Sequence, residues 1–255
     1  MKNFRILSAL LALVALINCG GPANDGETTE LVLFCAAGLK SPVTEIAELY
    51  EKETGVAVRM QFGGSGTLLS SLQIAPGDIY LAADSSYTDE AMKRDLISGP
   101  IPVARMKAGI GVAKGNPKNI VSLADLSRKE IRAGIGNPDA ASIGKFTKKI
   151  LSKHNLWENL SPVLVTPTVN ELANAVKLQS VDAVILWNVV AQQYPDVDFI
   201  SVPEFDAEKK GVTIAVTKSS KDPAASLKFC QFLSGADKGA LIFQKHGFEL
   251  ETASQ

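Results

Sequence analysis

The sequence predicts an α/β protein built as two lobes with a cleft between them. Three observations carry this. Strand-patterned apolar runs alternate with helix-patterned segments from residue 31 to residue 96. The same alternation resumes from residue 122 to residue 186, after two short apolar runs whose junction is flanked by Arg105 and Lys107. A last strand pattern at residues 212–216 is followed by two helix patterns. Strand–helix alternation implies parallel, right-handed α/β layers, and a chain of 255 residues is long enough for two cores.

Residues 31–34 read as a buried strand. Ser41 is the expected N-cap of the next helix, Pro42 fits its first position and Gly55 stops it. Between them Val43, Ile46, Ala47 and Tyr50 fall at helical spacing. Val56, Val58, Met60 and Phe62 alternate as a strand. Residues 67–72 form a short helix, 78–83 a strand and 89–96 a helix. Residues 101–103 and 109–112 are short strands. Ser122 caps a helix running to about Leu126. A strand at 131–135, a helix at 143–153, a strand at 163–165, a helix at 169–178 and a strand at 181–186 complete the second series. Helices at 223–233 and 236–245 close the chain. In the economical topology the chain crosses between lobes near Met106 and near Gly211. Residues 30–105 and 212–255 then make the first lobe and 106–211 the second. The strand-to-helix loops of both lobes face one cleft, where open α/β sheets bind ligands.

The N-terminus is a separate unit. Lys2 and Arg5 make a basic start, and residues 6–17 are apolar apart from Ser8. That run suits a secretory signal and is too short to span a membrane comfortably. Its end, Leu16-Ile17-Asn18-Cys19, resembles a bacterial lipoprotein signal, with residues 1–18 removed and Cys19 lipidated. Asn18 stands where Gly, Ala or Ser is usual, and an ordinary secretory signal cut a few residues later is the alternative. Residues 19–29 are small and polar, a flexible tether. No second apolar run reaches spanning length. A net charge of −1, no basic stripe and 6% aromatic residues argue against a nucleic-acid partner. Cys35 and Cys230 either pair, as an exported protein permits, or stay as buried thiols.

Two strand–loop–helix junctions stand out: Phe34-Cys35-Ala36-Ala37-Gly38-Leu39 and Phe62-Gly63-Gly64-Ser65-Gly66-Thr67. Both end a strand in small residues and lead into a helix, which leaves backbone N–H groups free to hold an anion. The second loop lacks the Lys of a phosphate loop and, with Thr67 where Gly is needed, misses a nucleophile elbow by one residue. It fits an oxyanion nest or, more simply, a tight turn. The stretch from Gly136 to Gly144 also opens a helix, with the amides of Ile143 and Gly144 free or with Ser142 acting only as a cap. Thr168 is a reasonable cap for the helix whose first amide is Val169. Trp187 ends a buried strand, and its donor-only indole either bonds an anion or packs. Asp78 and Asp84 flank a strand as an acidic pair or as caps and salt-bridge partners. His154 and His246, the two histidines, read as surface residues, and no metal-ligand spacing occurs.

Taken together, Phe34 to Leu39, Phe62 to Leu68, Gly77 to Asp84, Gly136-Asn137-Pro138, Val181 to Trp187 and Phe243-x-x-x-Gly247-Phe248 resemble the molybdate-binding proteins of bacterial ABC importers, in the type 2 periplasmic-binding-protein class. The resemblance runs from about Thr29 to Glu249. It implies a non-enzymatic receptor that closes on a tetrahedral dianion, held by hydroxyls and N–H groups without a cation or cofactor. The family's ligand positions fall on Gly38, Ser65, Ile143, Val169 (or Asn170) and Trp187. Gly38 replaces a Ser and Trp187 a Tyr, so two hydroxyls are gone; Lys40, Ser41 or a water is a candidate replacement at Gly38. The implied ligand is molybdate or tungstate. The implied partners are a permease and ATPase, with membrane contact through a lipid anchor only, and the implied state is a monomer in the periplasm or cell envelope. Rival readings are a receptor for sulfate, phosphate or ferric ion, or a secreted serine hydrolase using Ser65.

Overall fold

The structure is a computed structural model and describes residues 30–250; the expected signal, Cys19 and the tether lie outside the described residues. Strand β1 (Leu31–Ala36) is buried along nearly its whole length. It pairs in parallel with β2 (Val58–Gly63) on one side and β3 (Ile79–Ala82) on the other. Between β1 and β2 a 3-10 turn (Ala37–Leu39) runs into α1 (Lys40–Thr54), which ends at Gly55 with φ +74°. The cap differs from expectation. Leu39 holds the N-cap position, and Ser41 lies inside the helix with its hydroxyl donating to Gln193 Oε1 at 2.9 Å.

Helix α2 (Ser65–Ser71) follows β2, and α3 (Ser85–Lys93) follows β3. Helix α3 begins a turn before the expected Asp89, because Asp84 accepts the Ser86 N–H at 2.9 Å and nucleates the helix there. Strand β4 (Ile97–Met106) is ten residues long where three were expected. Its pairing with β10 carries register shifts, which let the segment with Gly99, Pro100 and Pro102 stay in the sheet.

At Lys107 the chain leaves this sheet and enters a second one through β5 (Ala108–Ala113). There follow β6 (Ala133–Gly136), α4 (Ser142–Lys153), β7 (Leu164–Thr166), α5 (Val169–Lys177), β8 (Ala183–Trp187), α6 (Asn188–Ala191), β9 (Val197–Ile200) and α7 (Pro203–Asp206). The segment capped by Ser122 is a 3-10 turn, Leu123–Ser127, rather than an α-helix. Strand β10 (Lys210–Thr217) returns to the first sheet, and α8 (Pro223–Ser234), α9 (Gly239–Lys245) and β11 (Glu249–Leu250) finish the described chain.

The first sheet has the order β11-β4-β10-β3-β1-β2 and the second β7-β6-β8-β5-β9. Neither is wholly parallel. Strand β10 is antiparallel to β3 and β4, and β5 is antiparallel to β8 and β9. Each of these strands is the first that the chain lays down on arriving from the other sheet, so no crossover helix sets its direction. Cys35 and Cys230 are both buried free thiols, so the disulfide alternative is not realised. Burial pushes the Cys230 thiol up to about 12. No helix among the described residues is long and apolar enough to cross a membrane.

Candidate functional site

The ends of β1, β2, β3 and β8 and the starts of α2, α4 and α5 converge on one hollow between the two sheets. Its wall is Ala36, Ala37, Gly38, Gly63, Gly64, Ser65, Ala83, Ala141, Ser142, Ile143, Thr168, Val169 and Trp187. All five residues singled out by sequence, Gly38, Ser65, Ile143, Val169 and Trp187, stand together here. Of the two register options Val169 lines the hollow and Asn170 does not. The hollow is tight as the lobes stand, about 10 Å³, close to the least space that admits a single water. No charged side chain is in its wall.

Ser65 is fixed from two sides. Its Oγ accepts the Ala83 N–H at 3.2 Å, and its carbonyl accepts the Tyr80 hydroxyl at 2.8 Å. Burial pushes the Tyr80 phenol well above its ordinary range, so it remains a donor. With one lone pair of Oγ engaged by a donor, the Ser65 hydroxyl proton is available to the hollow. From the second sheet, Ser142 and Ile143 open α4 and Val169 opens α5. Amides in a first helical turn have no intrahelical acceptor, and the helix dipole makes that end positive. The Thr168 hydroxyl accepts the Glu171 N–H at 3.5 Å, which leaves the amides ahead of it unused by the cap.

Trp187 is fully buried, with its ring stacked on Phe146 at 5.8 Å and 18°. Among the described residues its indole Nε1 is one of four buried side-chain polar atoms without a partner. Leaving a buried donor unmet costs about 1–3 kcal/mol, so such a group calls for an explanation. Gly38 differs from expectation in its surroundings. A Cβ there would stand 3.1 Å from Val169 Cγ1, 3.3 Å from Val190 Cγ2 and 3.7 Å from Trp187 Cδ1. The place of a first-loop side chain is therefore filled from the other lobe rather than open to water. Neither suggested replacement reaches in, because Ser41 turns to Gln193 and Lys40 lies over the Phe62 ring at 5.4 Å.

The arrangement offers hydroxyl, indole and amide donors to a compact acceptor. It offers no base for Ser65: His246 pairs with Glu45 at 2.9 Å, and His154 sits at the C-terminal end of α4, opposite the Ile143 end. Asp78 and Asp84 are not an acidic pair. They lie at opposite ends of β3, with Asp78 accepting from Val32 N–H, Ser220 Oγ and Lys221 N–H and Asp84 capping α3 and pairing with Lys210 at 3.4 Å. Among the described residues no group of three or more His, Cys, Asp or Glu is placed to hold a metal ion. Sequence alone offers Ser142 only a capping role. The cap position belongs to Ala141, and Ser142 is instead part of the wall; the signal was its place at the end of a strand–loop run of small residues.

The sequence pattern of one family, described as bacterial extracellular solute-binding protein, matches residues 31–249. The chain belongs to that family. This solute-binding protein is 31% identical over 254 residues to the molybdate-binding protein ModA of Mycobacterium tuberculosis H37Rv, covering 95% of each chain. Its fold is similar to that of the sulfate-binding protein SubI of Mycobacterium tuberculosis H37Rv, with a TM-score of 0.75, 19% identity and 88% of each chain covered. It is also similar to the periplasmic molybdate-binding protein of Azotobacter vinelandii, with a TM-score of 0.69, 18% identity, and coverage of 87% of this chain and 100% of the other. The solute-binding protein thus has the two-lobe architecture of periplasmic binding proteins, with the hollow between its lobes.

Proposed function

We propose that this solute-binding protein captures a tetrahedral oxyanion, molybdate or tungstate, and hands it to the permease of an ABC importer while anchored to the cell envelope through a lipid on Cys19. The observation that carries the reading is the wall of the hollow: donors from both lobes, no charged side chain, and an indole N–H without a partner among the described residues. Charge-assisted bonds from amides and hydroxyls to an anion are strong where water is excluded. A wall of donors also rejects a protonated anion, whose own O–H would face donors without an acceptor. The similarity to a molybdate-binding relative supports the choice of ion.

Calorimetry of the purified protein against molybdate, tungstate, sulfate, phosphate and ferric citrate tests this. Molybdate and tungstate should bind at least a hundredfold more tightly than phosphate. Comparable weak binding to all five would remove the ion assignment. Ser65→Ala should weaken molybdate binding by about 1.5–3 kcal/mol, roughly ten- to a hundredfold, through loss of one charge-assisted bond. An ester-hydrolysing activity abolished by Ser65→Ala, with anion affinity unchanged, would favour a hydrolase instead.

A further inference from the structure

The start of α2 is also the seam along which the lobes touch. The Gly66 N–H donates to the Ala140 carbonyl at 2.9 Å, and the Thr67 N–H reaches the same oxygen at 3.3 Å. Both flanking glycines are pressed against backbone of the second lobe. A Cβ on Gly64 would stand 2.3 Å from Ala140 O and 2.4 Å from Pro167 O. A Cβ on Gly66 would stand 2.4 Å from Asp139 O. These obstacles are main-chain atoms on the opposite lobe, which cannot swing aside as a side chain can.

The backbone conformation of the first lobe does not ask for glycine at either position. Gly64 has φ −68° and ψ 145°, an extended conformation open to any residue. Gly66 lies in the helix and is not among the glycines of positive φ. The nearest obstacles to a Cβ at both positions come from the other lobe, and only when the lobes are together.

We propose that Gly64 and Gly66 are closure-seating residues: their bare Cα atoms let the 139–140 and 167 backbone dock, and the Ala140 carbonyl latches the docked lobe through two amides. Seating brings Ile143, Val169 and Trp187 to Ser65 and completes the hollow. A methyl group at either glycine holds the lobes ajar without disturbing the lobe that carries it. The inference rests on the binding reading above for its ligand, but its geometry does not depend on which anion binds.

The test uses fluorescence energy transfer between dyes on Glu48→Cys, exposed on α1, and Lys177→Cys, exposed on α5. Transfer is measured without ligand and with molybdate or sulfate, in the parent and in Gly64→Ala and Gly66→Ala. The variants should keep the parent's ligand-free melting temperature, with Gly66→Ala equal or higher because alanine favours helix over glycine. Their closed fraction should fall under every condition in which the parent closes, and anion affinity should fall at least a hundredfold. A parent that closes on sulfate and not molybdate would sink the ion assignment and leave the seating role standing. A closed fraction equal in parent and variants throughout, including no closure in any of them, would overturn the seating role. A variant that loses its cooperative melting transition would also overturn it, since glycine would then be needed within its own lobe.

Discussion

Trp187 carries a buried donor without a partner among the described residues, and that one atom bears on the two readings left open by its sequence. A strand-end tryptophan packs or bonds, and spacing alone does not say which. Here the ring does pack, on Phe146, while Nε1 is buried without a partner in a residue that lines the hollow. Trp187→Phe keeps the stacking and deletes the donor. It should weaken molybdate binding by about 1.5–3 kcal/mol, tenfold or more, in a titration calorimeter. Its effect on melting temperature without ligand should be small or favourable, since an unmet buried donor is removed. In the parent protein Trp187 emission should change on saturation with molybdate; unchanged emission would take Trp187 out of the site. Ser65 was legible from its glycine-rich loop. Gly38 was legible as a position but not as an environment, because the groups that fill its side-chain space, Val169, Val190 and Trp187, come from distant parts of the chain.

At the scale of elements, function rests on where helices begin. Some starts are readable from sequence: Thr168 caps α5 as expected, and Pro223 follows Asp222, whose carboxylate accepts the Ala225 N–H at 2.9 Å. The start of α1 was misread because a 3-10 turn precedes it, and such a turn supplies its own backbone bonds without a polar cap. The start of α3 is set by Asp84, which accepts the Ser86 N–H and is itself held by Lys210, arriving 126 positions later from β10. The Lys210 ammonium also lies 4.6 Å over the Phe146 ring, so Asp84 links α3, β10 and α4. Asp84→Ala removes the cap and leaves a largely buried ammonium without its carboxylate, so it should cost about 1–3 kcal/mol in urea unfolding. Asp84→Asn should recover the part due to the cap.

For the whole molecule, the order of elements predicted two α/β layers, and the structure has them. Strand direction was less legible. Parallel pairing holds within each βαβ run, while the strands entering each sheet from the other are antiparallel, a property of the path between sheets and not of any local pattern. Strand β9, with Asp198 inside a four-residue span, has too little periodicity to be seen. The acid side of the stability curve follows from ion pairs spread over both lobes. Lys245 beside Glu45, the Val121 N–H on Asp125, Arg132 on Asp182 and Lys149 on Glu208 each hold a carboxyl below its usual value. A carboxyl whose pKa is depressed by folding adds stability above its unfolded value and loses it as pH falls toward the folded one. Buried Cys35, Cys230, Tyr80 and Tyr87 are shifted upward, so their contribution is lost as alkali ionises the unfolded chain first. Urea unfolding free energy should therefore be level near neutrality. It should fall below about pH 4.5, the ordinary glutamate value, and again above about pH 9, the ordinary thiol value. Asp182→Asn should flatten the acid limb.

The uncharged lining of the hollow has a consequence far from its surface. Fixed dipoles decay more steeply with distance than a charge does, so the lining itself adds little long-range attraction, and any steering of an anion has to come from charged side chains outside it. For the proposed oxyanion, the salt dependence of the association rate should then report those outer charges and not the lining.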